Sequence, residues 1–121
     1  MRNQPKYSIF KNTTYAINGF IDMLKNEMSF KIELILTIFL IPFLIYIELD
    51  LINKLLMFIT LMGVLIAETI NSAIERVVDL VTLEHHPMAG RAKDVGSTIV
   101  LLSICLFLVV WFTNISNLIC L

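Results

Sequence analysis

Residues 55–80 read LLMFITLMGVLI followed by AETINSAIERVVDL, and the join between these two halves decides the fold. Leu55 to Ile66 is almost wholly apolar, as a bilayer-crossing helix must be. From Ala67 the same run carries Glu68, Asn71, Glu75 and Asp79. At 100° per residue these four fall within about 80° of one another on a helical wheel. One helix therefore enters lipid without a polar face and leaves it with a stripe of carboxylates along one side.

The rest of the chain fits a membrane reading. Its 121 residues suggest one domain, residues 1–121, and 58% of them are hydrophobic. A mean hydropathy of +0.85 lies well outside the range of soluble domains. Residues 6–27 place Ile9, Phe10, Thr13, Ile17, Phe20, Ile21 and Leu24 at helical spacing, with Lys11, Asn12, Asn18, Asp22 and Lys25 between them. That pattern predicts an amphipathic helix lying in the headgroup plane, too polar to span. Spanning helices are expected over 30–49, 51–80 and 95–117. The unbroken apolar part of the first, Leu34–Ile47, is about 21 Å long, so Glu33 and Glu48 fall near the two interfaces. The second is about 45 Å long and must project from a hydrocarbon core of roughly 30 Å. Between the second and third, VTLEHHPMAGRAK reads as a polar loop punctuated by Pro87 and Gly90. Trp111 reads as an interfacial anchor. The fold class is all-α and integral to the membrane, with a surface helix and three spans.

Charge sets the expected orientation. Arg2, Lys6, Lys11, Lys25 and Lys31 precede the first span, Lys54 flanks the short turn, and Arg76, Arg91 and Lys93 flank the longer connection. The positive-inside rule puts the amino terminus and residues 80–94 in the cytoplasm. The amino-terminal segment has no compact apolar core of the signal-peptide kind. Cys105 and Cys120 share one helix, roughly 22 Å apart, and cannot bridge. No strongly basic patch suits nucleic acid.

With this topology Glu68 comes near the inner edge of the hydrocarbon and Glu75 about 10 Å further down, at headgroup depth. Glu27 guards the inner entrance to the first span, and Lys93 and Asp94 that to the third. A carboxylate inside the membrane costs about 2.5–3.5 kcal/mol even on the mild insertion scale, so Glu68 is expected to face protein and to work there. Asn71 and Ser72 share its face. Asp22, Glu33 and Asp79 read as solvated helix ends. Glu27 and Glu75, from different helices, suit Mg²⁺, which takes oxygen ligands and is often completed by substrate phosphates. His85-His86 has no companion ligands for zinc. The chain contains neither GxxxxGK[ST] nor GxGxxG, and no Ser/His/Asp order stands out.

Three stretches, NEMSFKIE (26–33), ETINSAIERVVDL (68–80) and EHHPMAGRAKDVGS (84–97), closely resemble the prokaryotic diacylglycerol kinase family. The resemblance extends over nearly the whole chain. It implies a homotrimer in the bacterial inner membrane, with active sites shared between neighbouring subunits at the cytoplasmic surface. The implied reaction moves the ATP γ-phosphate to a lipid hydroxyl. By matched position, Glu68 is implied as the base and Glu27 and Glu75 as ligands of Mg²⁺ bound with ATP. Asn71 would orient the site, Lys93 and Asp94 would meet the nucleotide, and Tyr15, Glu84, His85 and His86 would add contacts to it. Lipid contacts are implied for the first helix, Phe30, Lys31, Glu33, Glu48 in the 47–50 turn, Ser97 and Thr98.

The chain also departs from the family pattern. Ser8 stands where relatives often have an arginine reaching the nucleotide, with Lys11 a turn later. His85-His86-Pro87 leans toward relatives that phosphorylate undecaprenol, whereas AGRAKDVGS leans toward the diacylglycerol branch. The expectation is diacylglycerol, with undecaprenol as the alternative. A rival from another class, a non-enzymatic membrane oligomer or proton path, accounts for intramembrane carboxylates. It leaves unexplained why Glu27, Lys93 and Asp94 gather at the same face.

Overall fold

The computed structural model describes residues 5–120. Among them the chain is all-helical: α1 (Ile9–Asn26), α2 (Met28–Tyr46), α3 (Leu51–Val81) and α4 (Pro87–Ile119). The last three are long and apolar enough to cross a membrane.

Helix α1 starts at Ser8, whose side chain accepts from the Lys11 N–H. Thr13 and Thr14 satisfy their hydroxyls locally, donating to the carbonyls of Ile9 and Phe10. The helix ends at one extended residue, Glu27. Its N–H still donates to Met23 O at 3.0 Å, and its carbonyl accepts from Lys31 N at 3.2 Å as α2 begins. A single non-helical residue thus makes the corner between surface helix and span. Phe20 and Phe30 close it from inside, edge to face at 5.7 Å.

Helix α2 has 19 residues, about 28 Å, close to the thickness of a hydrocarbon core. It continues through Pro42. At its end Lys54 Nζ donates to Ile45 O at 2.9 Å, so the next helix supplies a partner for a carbonyl that the helix end leaves open. Asp50 stands at the N-cap position of α3, where its carboxylate accepts from the Asn53 side chain rather than from a backbone N–H.

Helices α3 and α4, of 31 and 33 residues, pack mainly on each other, and α2 lies along α3. Both exceed the membrane core by well over a turn. At the end of the bundle nearest the α2–α3 turn, Leu44, Ile47, Met57, Leu61 and Trp111 form a buried cluster. Trp111 is therefore no interfacial anchor: it is 5% exposed and donates from Nε1 to Met57 O at 2.9 Å. A buried indole N–H needs an acceptor, and a helical carbonyl has a lone pair to spare. Phe43 and Phe107 flank its ring at 6.3 and 5.0 Å. A second cluster, Met23, Phe30 and Leu65, joins α1, α2 and α3 at the opposite end.

The start of α4 differs from the expected Val95. The helix begins at Pro87, leaving only residues 82–86 outside regular structure between α3 and α4. His86 is the N-cap, with Nδ1 accepting from Met88 N at 3.1 Å, and Pro87 occupies the first turn, where its missing N–H costs nothing. Gly90 is carried inside the helix.

Candidate active site

Below Leu61 and Leu65 the buried face of α3 changes from apolar to polar. Glu68 and Asn71 are each 8% exposed and Ser72 is 1% exposed. Glu75 is half-buried and Asp79 exposed. The stripe runs from protein interior to open surface over three turns. Asn71 Nδ2 donates to Glu75 Oε1 at 3.1 Å, but Asn71 Oδ1 and Ser72 Oγ are buried without a partner. Leaving a buried polar atom unpaired costs about 1–3 kcal/mol.

Helix α4 approaches this point through Gly96, which is buried. A Cβ added there would lie 2.5 Å from Asn71 Oδ1. Only glycine lets the two helices close over Asn71 without displacing its side chain. Sequence reasoning passed over Gly96, since nothing local marks a glycine as a contact between helices.

Glu33 on α2 also has a buried, unpartnered carboxylate oxygen. It lies near enough to Glu68 for their charges to interact, and Glu68 in turn feels Glu75 and Glu27. Four carboxylates from the α1–α2 corner, α2 and α3 therefore share one electrostatic neighbourhood. The residues read as solvated helix ends are otherwise engaged. Asp79 accepts from Lys93 Nζ at 2.7 Å, and Asp22 accepts from Arg76. Arg76 also donates to Glu27 Oε1 at 3.0 Å, so within one chain the partner of Glu27 is Arg76 rather than Glu75. The hydrogen bond from Arg76 holds the Asp22 carboxyl below its ordinary value. Arg76 carried no signal in sequence beyond its charge, because its partners lie some fifty residues away.

The remaining candidates spread out. Phe30 is buried in the second apolar cluster and Lys31 is half-buried beside it in sequence. Tyr15 is exposed on α1 and Asp94 on α4. Ser97 and Thr98 are exposed and donate to the carbonyls of Lys93 and Asp94 at 3.3 and 3.1 Å. Glu84, His85 and His86, with Asp79, Thr82 and Lys93, line a cleft of 390 Å³ beneath the α3–α4 connection. Glu48 stands apart: it is exposed beside the α2–α3 turn, about 22 Å along the chain axis from Glu33.

Among the described residues no group of three or more His, Cys, Asp or Glu side chains is assembled to hold a metal alone. What the site offers is oxygen, in the carboxylates of Glu27 and half-buried Glu75. Such a set fits a hard cation that keeps waters and takes further ligands from a phosphate, and does not fit zinc.

Residues 14–115 match the family model described as prokaryotic diacylglycerol kinase. The chain belongs to that family. It is 36% identical to a diacylglycerol kinase of Haemophilus influenzae over 103 residues, 85% of this chain and 87% of that protein. Against a diacylglycerol kinase of Escherichia coli the identity is 35% over 85% of this chain and 84% of that one. An undecaprenol kinase of Bacillus subtilis is 30% identical over 84% of this chain and 79% of that protein. The prokaryotic diacylglycerol kinase family and the three apolar helices make this a membrane-embedded lipid kinase, a class that needs ATP and a metal ion.

Proposed function

We propose that the chain phosphorylates diacylglycerol with ATP, giving phosphatidic acid at the cytoplasmic face of the bacterial inner membrane, and that it does so as a homotrimer. The observation that carries this reading is the graded stripe on α3, from buried Glu68 and Asn71 to half-exposed Glu75. A lipid kinase joins a reactant held in the bilayer to one dissolved in water, and its groups must span that boundary.

In this reading Glu68 takes the proton of the lipid hydroxyl as its oxygen bonds to the γ-phosphorus. The bond from that phosphorus to the bridging oxygen breaks, and ADP leaves. Proton transfer from a positioned base contributes about 10²–10⁴ in rate, with positioning and charge neutralisation supplying most of the remainder. Glu27 and Glu75 would hold Mg²⁺, whose charge offsets that of the phosphates. Asn71 keeps Glu75 aimed through its amide N–H. Lys93 and Asp94 meet the nucleotide, as do Tyr15, Glu84, His85 and His86. Within one chain Lys93 is turned to Asp79 and Asp94 stands exposed, which supports completion of the site by a neighbouring copy.

Diacylglycerol presents its hydroxyl beside two esters, whereas undecaprenol presents it at the end of a bare chain. The unpartnered Ser72 Oγ favours the more polar lipid, because it would remain unpaired beside a polyprenol. His85-His86-Pro87 and the Bacillus subtilis relative favour the other. Purified protein in mixed micelles, assayed with each lipid at matched ATP and Mg²⁺, decides the matter. A higher kcat/KM for diacylglycerol is expected. A higher value for undecaprenol would reverse the substrate assignment, and no transfer to either lipid would end the kinase reading. Labelling intact cells with an impermeant thiol reagent tests orientation: a cysteine placed at Asn53 should react and one at Ala89 should not.

A further inference from the structure

Arg76 reaches from α3 to the far side of the α1–α2 corner, where one guanidinium serves two carboxylates. Nη1 donates to Asp22 Oδ2 and Nη2 to Glu27 Oε1 at 3.0 Å, while the Met23 sulfur lies 3.9 Å from Nη2. Asp22 is itself fixed, since its Oδ1 accepts from Asn26 Nδ2 at 2.6 Å. The second oxygen of Glu27, Oε2, takes no hydrogen bond from any described residue and remains open.

The setting makes this contact consequential. Glu27 sits on the one extended residue between two helices, so its direction depends on how α1 is seated against α3. That seat is thin. Ala16, Gly19, Phe20 and Met23 of α1 face Thr69, Ala73 and Arg76 of α3 across a gap of 470 Å³. Besides the Met23–Leu65 cluster, the Arg76 contacts tie the two helices together.

Charge decides what the contact does. Arg76 paired with Glu27 alone would cancel that carboxylate and spoil it for a cation. With Asp22 present, the three groups sum to one negative charge. We propose that Asp22 and Arg76 are a positioning pair for Glu27: Arg76 orients the carboxylate through Oε1, and Asp22 takes up the arginine's charge so that Oε2 stays available to a divalent cation. The inference rests on the assignment of Glu27 as a metal ligand above, and it adds two residues that do not touch the reactants.

The test measures binding rather than turnover, by Mn²⁺ electron paramagnetic resonance on the full chain in micelles with a non-hydrolysable ATP analogue. Asp22→Asn leaves Arg76 free to neutralise Glu27 and should weaken Mn²⁺ binding by about tenfold, a coupling usual for charged groups in contact. Arg76→Gln loses orientation but also removes a positive charge, and should weaken it by only about threefold. The deciding variant combines both. If the pair works through charge on Glu27, Asp22→Asn/Arg76→Gln binds no worse than Arg76→Gln and better than Asp22→Asn. If the contact is only a strap between helices, the double variant is at least as weak as Asp22→Asn, and the proposal fails. A misfolded Asp22→Asn protein would not recover on losing a second contact, so recovery cannot come from general damage. Absence of Mn²⁺ binding in the wild type would instead overturn the metal assignment to Glu27 and this inference with it.

Discussion

At the end of the bundle beside the α2–α3 turn, α3 is packed with its polar groups paired. Met57 is fully buried, Trp111 donates to its carbonyl, and Lys54 satisfies the end of α2. About four turns further along the same helix, near α1, the pattern inverts. Glu33, Asn71 and Ser72 each bury an oxygen without a partner, carboxylates crowd one another, and α1 stands off from α3 across a gap. The first region pairs its polar groups and holds helices together, and the second leaves buried polar atoms without a protein partner. On the proposed function, stability and reactivity fall at opposite ends of one helix, and substitutions at the two ends should separate them.

The largest effect is expected at Glu68. Glu68→Gln keeps shape and hydrogen bonding but removes the basic lone pair, so kcat should fall by about 10²–10⁴ with little change in KM for ATP or in thermal midpoint. A preserved kcat with weakened ATP affinity would make Glu68 a binding residue instead. Trp111→Ala, at the other end, should do the opposite. Removing a buried indole costs about 3–5 kcal/mol in packed cores, so the unfolding midpoint should drop steeply while kcat below that midpoint stays near wild type. Loss of turnover without loss of stability there would break the division between the ends.

Gly96→Ala tests the border. The added methyl meets Asn71 Oδ1, and overpacking of this kind costs about 1–3 kcal/mol. Because the strain falls on the residue that aims Glu75, activity should suffer more than the thermal midpoint, and the apparent Mg²⁺ requirement should rise. The smallest effect concerns pH. The folded-state value of Asp22 is lowered by Arg76, so its stabilising pairing is complete above the ordinary carboxylate value of about 4 and is lost as pH falls through the lowered one. Protease protection of α1 should therefore hold at neutral pH and weaken only in strong acid. In Asp22→Asn that acid-dependent step should disappear.

Much of the architecture was legible before any coordinates. Apolar runs of spanning length announce three membrane helices, because a bilayer core demands about twenty apolar residues and little else makes such runs. The stripe on α3 is legible for the same reason that any helical face is: a fixed 100° step turns spacing directly into direction. The start of α4 carries its signal in the sequence. His86-Pro87 is an N-cap followed by proline in the first turn, and the polar residues after it, which by composition read as a loop, line a helix projecting beyond the membrane core. Trp111 departs from its expected role for a different reason. Its position near a helix end suited an interface, and only a carbonyl on another helix shows that it is a core residue.

What the sequence determined by itself is therefore local and periodic: helical segments, their apolar lengths, and which carboxylates share the α3 face. What the tertiary structure alone decided is pairing across distance. Arg76 reaches Asp22 and Glu27, Gly96 meets Asn71, and Lys93 turns to Asp79. No periodicity encodes these contacts, because they depend on how separate helices are set against one another, and that is fixed by the packing of all of them together.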